Sequence, residues 1–189
     1  MTSVMKPDIQ PILENEKVFL FPLAERDFDD LYRAASDPAV WEQHPNPDRW
    51  RLEVFRTYFE GAMQSKGAFK IVEKTSGEII GSTRFYDYNE QESSILIGYT
   101  FLAAKFWGRG FNHAVKISLL DYIFRFVKKV YFHIGANNVR SQIAITRIGA
   151  DKCGELEVNY YGEASRLNFV YEISRETWEK LKHRRESDA

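Results

Sequence analysis

The stretch "ILIGYTFLAAKFWGRGFNHAVK", residues 95–116, joins a run of strand-forming residues to a helix through a turn with two glycines. Apolar and aromatic residues before the turn predict a strand, and apolar residues at helical spacing beyond it predict a helix. Gly108 and Gly110 free the backbone at the junction, where Lys105 and Arg109 add positive charge. The sequence therefore predicts a strand, a glycine turn and a helix in succession.

This junction has the properties of an anion-binding site. The first turn of a helix presents N–H groups without intrahelical partners and the positive end of the helix dipole. The dipole contributes only about 0.3–1 kcal/mol, so several N–H groups must act together, which suits a pyrophosphate. The P-loop is excluded because no G-K-[ST] follows the glycines, and the dinucleotide fingerprint because His113 replaces its third glycine. A turn that merely connects strand and helix stays open as the alternative.

Periodicity on both sides of the junction predicts one α/β (α+β) domain over residues 1–189, with an N-terminal extension at 1–15 and a frayed C-terminal tail at 183–189. Its sheet is mixed and mostly antiparallel, with about seven strands and helices on both faces. Helices are predicted at 26–35, at 46–63 with Asn46 as cap and Pro47 as first residue, at 111–126, at 139–149 and after Ser174. Strands are predicted at 18–23, 68–74, 78–88, 95–103, 129–135, 151–158 and 166–174.

Composition excludes several classes of function. The 26 basic and 27 acidic side chains nearly cancel, which gives no broad basic surface for nucleic acid. Cys153 is the single cysteine, so an internal disulfide is impossible, and we expect a small buried or half-buried thiol without a metal. The N-terminal residues contain no apolar run typical of a signal peptide or a membrane span, which predicts a cytoplasmic protein without membrane partners.

The strand, turn and helix at 97–124 resemble the coenzyme A signature of the GNAT acetyltransferase superfamily, whose turn reads [Q/R]-x-x-G-x-[G/A]. Lys105 stands at the Gln/Arg position of that turn. The segment "NNVRSQIAITRIGA" (137–150) is similar to the family's N-x-x-S-x-x-x-x-x-x-x-G element through Asn138, Ser141 and Gly149.

Two further matches support the resemblance. The segment "TSGEIIGSTRFY" (75–86) is similar to another family pattern, and Asn112 with Lys116 is similar to an N-x-x-x-K found in one subgroup. The resemblance extends over residues 16 to 182 and is closest to the branch of ribosomal-protein N-terminal acetyltransferases (RimJ/RimL-like).

The resemblance implies that acetyl-coenzyme A (acetyl-CoA) is the co-substrate, that no metal is needed, and that the acetyl group passes to a primary amine. The pantetheine arm would lie between the strands 95–103 and 129–135. Backbone N–H near Gly98 and Tyr99 would polarise the thioester carbonyl. Asn138 would bind pantetheine or only cap its helix. The expected cofactor-binding residues are Thr100, Phe101, Leu102, Lys105, Trp107, Gly108, Arg109, Gly110, Phe111, Asn112 and Asn138.

The catalytic residues are less defined, because Leu96 and Ile145 stand where many family members carry a Glu base and a Tyr acid. The resemblance implies that Ser141 protonates the departing thiolate; a serine that only completes a helix cap is the alternative. His44 is our preferred replacement base, since histidine exchanges protons near neutral pH. Glu92 and His133 are weaker candidates.

The amine acceptor is constrained by its pKa. Deprotonating a lysine side chain at pH about 7.4 costs roughly 4 kcal/mol, against under about 1 kcal/mol for an α-amine. A site without the usual base therefore favours a protein or peptide α-amine, or a small-molecule amine of depressed pKa, over an ordinary lysine side chain. A non-catalytic acyl-CoA-binding or sensor module is the alternative function. A homodimer is left open.

Overall fold

In the computed structural model, which describes residues 6–187, eight strands form a single sheet in the order β1-β2-β3-β4-β5-β6-β8-β7. The mixed α/β architecture and the mostly antiparallel sheet are as predicted, because every neighbouring pair is antiparallel except β5 and β6. The strands are β1 (Leu13–Glu14), β2 (Val18–Pro22), β3 (Ala68–Glu73), β4 (Ile79–Asn89), β5 (Ser94–Leu102), β6 (Lys129–Gly135), β7 (Asp151–Val158) and β8 (Arg166–Ser174).

Within the described residues, six helices flank this sheet. They are α1 (Phe28–Ala35), α2 (Pro38–Trp41), α3 (Leu52–Ser65), α4 (Phe111–Ile123), α5 (Val139–Arg147) and α6 (Arg175–Ser187). α1 packs against β4, β5 and α3, whereas α4 packs against β1 and β2. Fully buried aromatic side chains, among them Trp41, Phe55, Phe69 and Phe85, fill the core.

The second predicted helix begins later than the sequence suggested. α3 starts at Leu52, and the side chain of Asn46 donates to Glu163 Oε2 over 2.9 Å rather than capping a helix. This contact joins residues 117 apart in the chain. The prediction was wrong because a distant carboxylate competes successfully for a residue with good local capping chemistry.

Two other details differ from the predictions. Cys153 is exposed on β7 rather than buried, because β7 is an edge strand with mostly exposed residues. An eighth strand arises because Leu13–Glu14, in the expected N-terminal extension, pairs with β2. Residues 1–5 of that extension and residues 188–189 of the expected tail lie outside the described residues, and α6 runs to Ser187.

The parallel pair β5 and β6 opens the sheet at its centre. Pairing extends over Ser94–Lys129, Ile95–Val130 and Leu96–Tyr131 and then stops, although β5 continues to Leu102 and β6 to Gly135. A bulge lies just beyond this point: Ser82 pairs with Phe101 and Arg84 with Gly98, so β5 carries one more residue than β4. Tyr99, within the bulge, has a φ of 53°. The two strands therefore diverge into a cleft.

Candidate functional site

The cleft between β5 and β6 connects three cavities. On one side lies a cofactor-side cleft of about 630 Å³, between the glycine turn and the start of α5. On the other side lies an outer pocket of about 500 Å³, between β4 and the end of β7. A central cavity shares Thr100 and Ser141 with the first and Tyr99 and Tyr160 with the second. Two molecules entering from opposite sides would meet in the central cavity.

The glycine turn forms one wall of the cofactor-side cleft. Gly108 and Gly110 adopt φ values of 69° and 79°, and Gly110 is the N-cap of α4. A Cβ added to Gly108 would meet no atom within 4 Å, so the space beside this residue is open. The first N–H groups of α4 follow directly, and they have no partners within the helix. Trp107, Gly108, Gly110, Phe111 and Asn112 all line the cleft.

The start of α5 faces the same cleft. The Asn138 side chain caps this helix by accepting from Ser141 N over 3.1 Å, so the capping alternative for Asn138 is realised. Ser141 lines both the cofactor-side cleft and the central cavity. The N-termini of α4 and α5 thus face one space, but the first N–H groups of α5 already donate to Asn137, Gln43 and Asn138. The N–H groups open to an anion are therefore those at the start of α4.

The charged residues around the cleft are not those that the turn suggested. Lys105 is 62% exposed and pairs with Glu78 over 2.7 Å, and neither Lys105 nor Arg109 is among the lining residues. Arg140 and Arg147 of α5 line the cleft instead. The Arg140 guanidinium lies 3.9 Å from the centre of the Trp107 ring. The sequence did not single out these two arginines, because only their position on α5, the helix that follows β6, distinguishes them from other basic residues.

The backbone of β5 is partly available to a ligand. Thr100, Phe101 and Leu102 line the cofactor-side cleft, as the resemblance implied. The carbonyl of Leu102 already accepts from Trp107 Nε1 over 2.9 Å, and that of Tyr99 accepts from Tyr58 Oη over 2.7 Å. Phe101 is the register partner of Ser82, and its carbonyl points toward β4. The backbone of β5 is therefore open to an extended ligand chiefly at Thr100.

His44 lies in the same site but is poorly suited to the role expected of it. It lines both the central cavity and the cofactor-side cleft, and its ring centre is 4.9 Å from that of Trp41. Burial, together with the positive charges of Arg49 and Arg140, lowers the pKa of His44 to about 3. The imidazole is therefore neutral at neutral pH and a weak proton acceptor, in contrast to our expectation for a histidine.

Lys116 is the titratable group that the sequence reasoning did not select. It lies on α4 one turn after Asn112, lines the central cavity and is 4% exposed. Its Nζ donates to Thr100 Oγ1 over 2.6 Å, and it belongs to none of the ion pairs among residues 6–187. Burial lowers the pKa of Lys116 to about 7. The N-x-x-x-K match was the available signal, but it carried no information on burial.

The outer side of the cleft is aromatic. Tyr86, Tyr99 and Tyr160 line both the central cavity and the outer pocket, and burial raises the pKa of each, so their hydroxyls stay protonated. His133 lines the same two cavities, and burial lowers its pKa. Glu92 is exposed in the turn between β4 and β5. The three tyrosines and His133 therefore contribute neutral polar groups and ring faces to the outer side.

Ile145 lines the central cavity, where its side chain has no proton to donate.

Among the residues described, no group of three or more His, Cys, Asp or Glu side chains could hold a metal ion. Within the same residues, each helix is too short or too polar to cross a membrane.

Comparison with known proteins agrees with this geometry. The family model described as "Acetyltransferase (GNAT) domain" matches residues 17–151. A structure from T. thermophilus, assigned as an acetyltransferase, is 26% identical, with a TM-score of 0.76 over 97% of this chain and 98% of that one.

Two more distant structures contain coenzyme A ligands. The microcin C7 self-immunity acetyltransferase MccE, in complex with acetyl-CoA and AMP, is 18% identical, with a TM-score of 0.68 over 85% of this chain and 93% of that one. Mycobacterium smegmatis RimJ, in complex with CoA-disulfide, is 19% identical, with a TM-score of 0.66 over 88% of this chain and 87% of that one. At these identities the two structures show a similar fold, and their ligands are described for those proteins.

Proposed function

The chain belongs to the GNAT acetyltransferase family, and from that premise we propose that it transfers an acetyl group from acetyl-CoA to a primary amine by direct attack in a ternary complex. The observation that carries this proposal is the divergence of β5 and β6 beside a glycine turn that caps α4. The cleft leaves strand backbone and helix N–H groups free on the same side of the sheet, which suits an extended ligand with a pyrophosphate.

In this proposal acetyl-CoA occupies the cofactor-side cleft. Its pyrophosphate accepts hydrogen bonds from N–H groups between Gly108 and Asn112, and its pantetheine arm pairs with the backbone of β5 at Thr100. The thioester then lies in the central cavity, which Gly98 and Tyr99 line, and we place its carbonyl oxygen beside the backbone N–H groups of this bulge. MccE and RimJ, whose structures contain acetyl-CoA and CoA-disulfide, support a coenzyme A ligand.

The chemical step needs one proton to move from nitrogen to sulfur. The neutral amine attacks the thioester carbonyl carbon, a C–N bond forms, and the C–S bond breaks to leave a thiolate. We propose that neutral Lys116 takes the proton from the amine, since it is a buried base in the central cavity. Ser141 is proposed to pass a proton to the thiolate and to be reprotonated in turn, while Lys116 releases the proton that it took, so that the net transfer is one proton from nitrogen to sulfur. His44, as a neutral imidazole, is left to orient the reactants.

The acceptor remains a protein or peptide α-amine or a small-molecule amine. The resemblance of the sequence to the branch of ribosomal-protein N-terminal acetyltransferases makes a protein N-terminus one candidate. A homodimer stays a prediction.

Titration calorimetry with acetyl-CoA, followed by measurement of free thiol over a panel of amines, tests the function. We expect binding at micromolar concentrations and amine-dependent thiol release. Tight binding without transfer to any amine would favour the alternative, an acyl-CoA-binding or sensor module. Absence of binding would contradict both functions.

A pair of charge substitutions tests which cations bind the cofactor. Arg140→Gln is expected to raise the Kd of acetyl-CoA about fivefold to tenfold, or roughly 1 kcal/mol, because Arg140 lines the cleft. Lys105→Gln is the matched control and should change the Kd less than about twofold, because Lys105 is exposed and paired with Glu78. The Kd is measured by calorimetry at two salt concentrations, with Tm as a check on folding. A larger effect at Lys105 would contradict the assignment.

A further inference from the structure

Arg84 is a buried cation without an anionic partner. Its side chain, on β4, is 5% exposed. Nη1 donates to the carbonyl of Gly61 over 3.3 Å, whereas Nε is buried with no hydrogen-bond partner. None of the ion pairs formed among residues 6–187 includes it. The Tyr99 ring, with its centre 3.9 Å from Cζ, compensates the charge in part.

The neighbouring Arg49 shows that the fold can neutralise a buried arginine. Arg49 is 2% exposed and binds the Glu163 carboxylate through Nε at 2.9 Å and Nη2 at 2.6 Å. Both guanidinium groups face the ring of Tyr58, with Cζ at 4.9 Å for Arg49 and 5.8 Å for Arg84. Only Arg49 has a carboxylate. A buried guanidinium stays charged, so leaving Arg84 unpaired costs the free protein stability.

The position of Arg84 connects it to the reaction. It lines the outer pocket together with Tyr86, Tyr99 and Tyr160, which also line the central cavity. The outer pocket and the cofactor-side cleft have no lining residue in common. Arg84 is also the register partner of Gly98, next to the bulge at Tyr99. A group bound to Arg84 would therefore lie on the acceptor side, close to the proposed site of the thioester carbonyl.

The charges around the outer pocket limit what can bind. Asp87 and Glu157 line it and are exposed, so a ligand with several negative charges would be repelled at the mouth. The buried interior offers the Arg84 guanidinium and the protonated hydroxyls of Tyr86 and Tyr99 as donors for a single anionic group, whereas the hydroxyl of Tyr160 already donates to Asn168 Oδ1 over 3.0 Å. A compact ligand with one anion fits this arrangement.

We propose that Arg84 binds a carboxylate of the acceptor, and that the acceptor is a small amine whose carboxylate lies within a few bonds of the reacting nitrogen, as in a free amino acid. This inference rests on the proposed acetyltransferase function and narrows its acceptor. The carboxylate provides the anionic partner that Arg84 lacks in the free protein.

The test compares the twenty standard amino acids with their carboxamides as acceptors for the wild-type enzyme, using thiol release. The amine of a carboxamide has the lower pKa, so intrinsic reactivity at neutral pH favours the amide. We expect the best free amino acid to exceed its amide at least about tenfold in kcat/KM, as loss of a charged hydrogen-bonded partner implies. Equal or faster turnover of the amides, or no turnover of any amino acid by an enzyme that binds acetyl-CoA, would overturn the inference.

Arg84→Met separates recognition from structure. The variant should lose the preference for the free acid and keep its affinity for acetyl-CoA, with a Tm equal to or above that of the wild type, because an unpaired buried charge is removed. Arg33→Met, at an exposed position on α1, is the matched control and should keep the preference. A lower Tm with an unchanged preference would show a structural role for Arg84.

These readouts distinguish two kinds of failure. Loss of acetyl-CoA binding in the wild type would contradict the proposed function itself. Binding and transfer without a preference for carboxylates, for instance to peptides with neutral N-terminal residues, would overturn only the role of Arg84.

Discussion

Replacing Lys116 with methionine is expected to lower kcat/KM at least about 100-fold, the effect typical of losing a general base. Affinity for acetyl-CoA should change little, because we place most of the cofactor in the cofactor-side cleft, which Lys116 does not line. Methionine fills a similar volume without a charge, so the variant should fold. Thiol release measures activity, and calorimetry measures binding.

The pH dependence identifies the role of Lys116 more specifically. Only the neutral amine can accept a proton, so wild-type kcat/KM should rise with pH through a midpoint near the pKa of about 7. Lys116→Met should remove this rise in kcat/KM near pH 7, so that only the titration of the acceptor amine affects the pH profile. His44→Gln should leave the midpoint in place, because the pKa of His44 is about 3. If kcat/KM of Lys116→Met still rose with a midpoint near pH 7, the assignment of Lys116 as the general base would be contradicted.

The same pKa predicts an effect on stability with a defined sign. The pKa of Lys116 falls from 10.5 in the unfolded chain to about 7 in the fold, so the unfolded chain binds more protons between these values. Burial of the charged Lys116 side chain lowers the free energy of unfolding by its full amount below pH 7, and this loss of stability disappears as the pH rises toward 10.5. Urea unfolding at two pH values in that window should show a smaller rise in stability for Lys116→Met than for the wild type.

Alanine at Gly108 is expected to raise the Kd of acetyl-CoA at least about tenfold, or about 1.4 kcal/mol. The new methyl group would project into space that is open in the free protein, where we place the pyrophosphate. The backbone would also be strained, because Gly108 has a φ of 69°.

Gly77→Ala is a close control for that strain. Gly77 lies in the turn between β3 and β4, has a φ of 72°, and its added Cβ also meets nothing within 4 Å. Both variants should lose a similar stability, about 1 kcal/mol. Only Gly108→Ala should weaken acetyl-CoA binding in calorimetry. Equal affinities for the two variants would show that the turn does not hold the cofactor.

The order of strands and helices was predictable because local signals agreed with the tertiary structure. The turn at Gly108 and Gly110 marks the junction of β5 and α4, and the alternation around it identifies both elements. The start of α3 was mispredicted because a long-range contact, from Asn46 to Glu163, replaced a local cap. Local patterns report local preferences, and they fail where a distant partner competes.

The chemistry of the site was less predictable than its location. The resemblance led to the cleft, where Ser141, Asn138 and His44 are found. Lys116 and Arg84 look like ordinary polar positions on an amphipathic helix and a strand. Their importance depends on burial without a carboxylate partner, and on the bulge at Tyr99. These properties arise only when distant segments are packed together.

The opening between β5 and β6 also divides the chain into two halves. Residues 13–102 form β1 to β5 and residues 129–174 form β6 to β8, and three residue pairs join the two half-sheets directly. Within the first half the strands pair in chain order, whereas in the second half β6 pairs with β8 and β7 lies at the edge. A ligand bound in the opening between β5 and β6 would contact both half-sheets at once. The protein with its substrates bound would therefore resist separation of the two half-sheets better than the free protein.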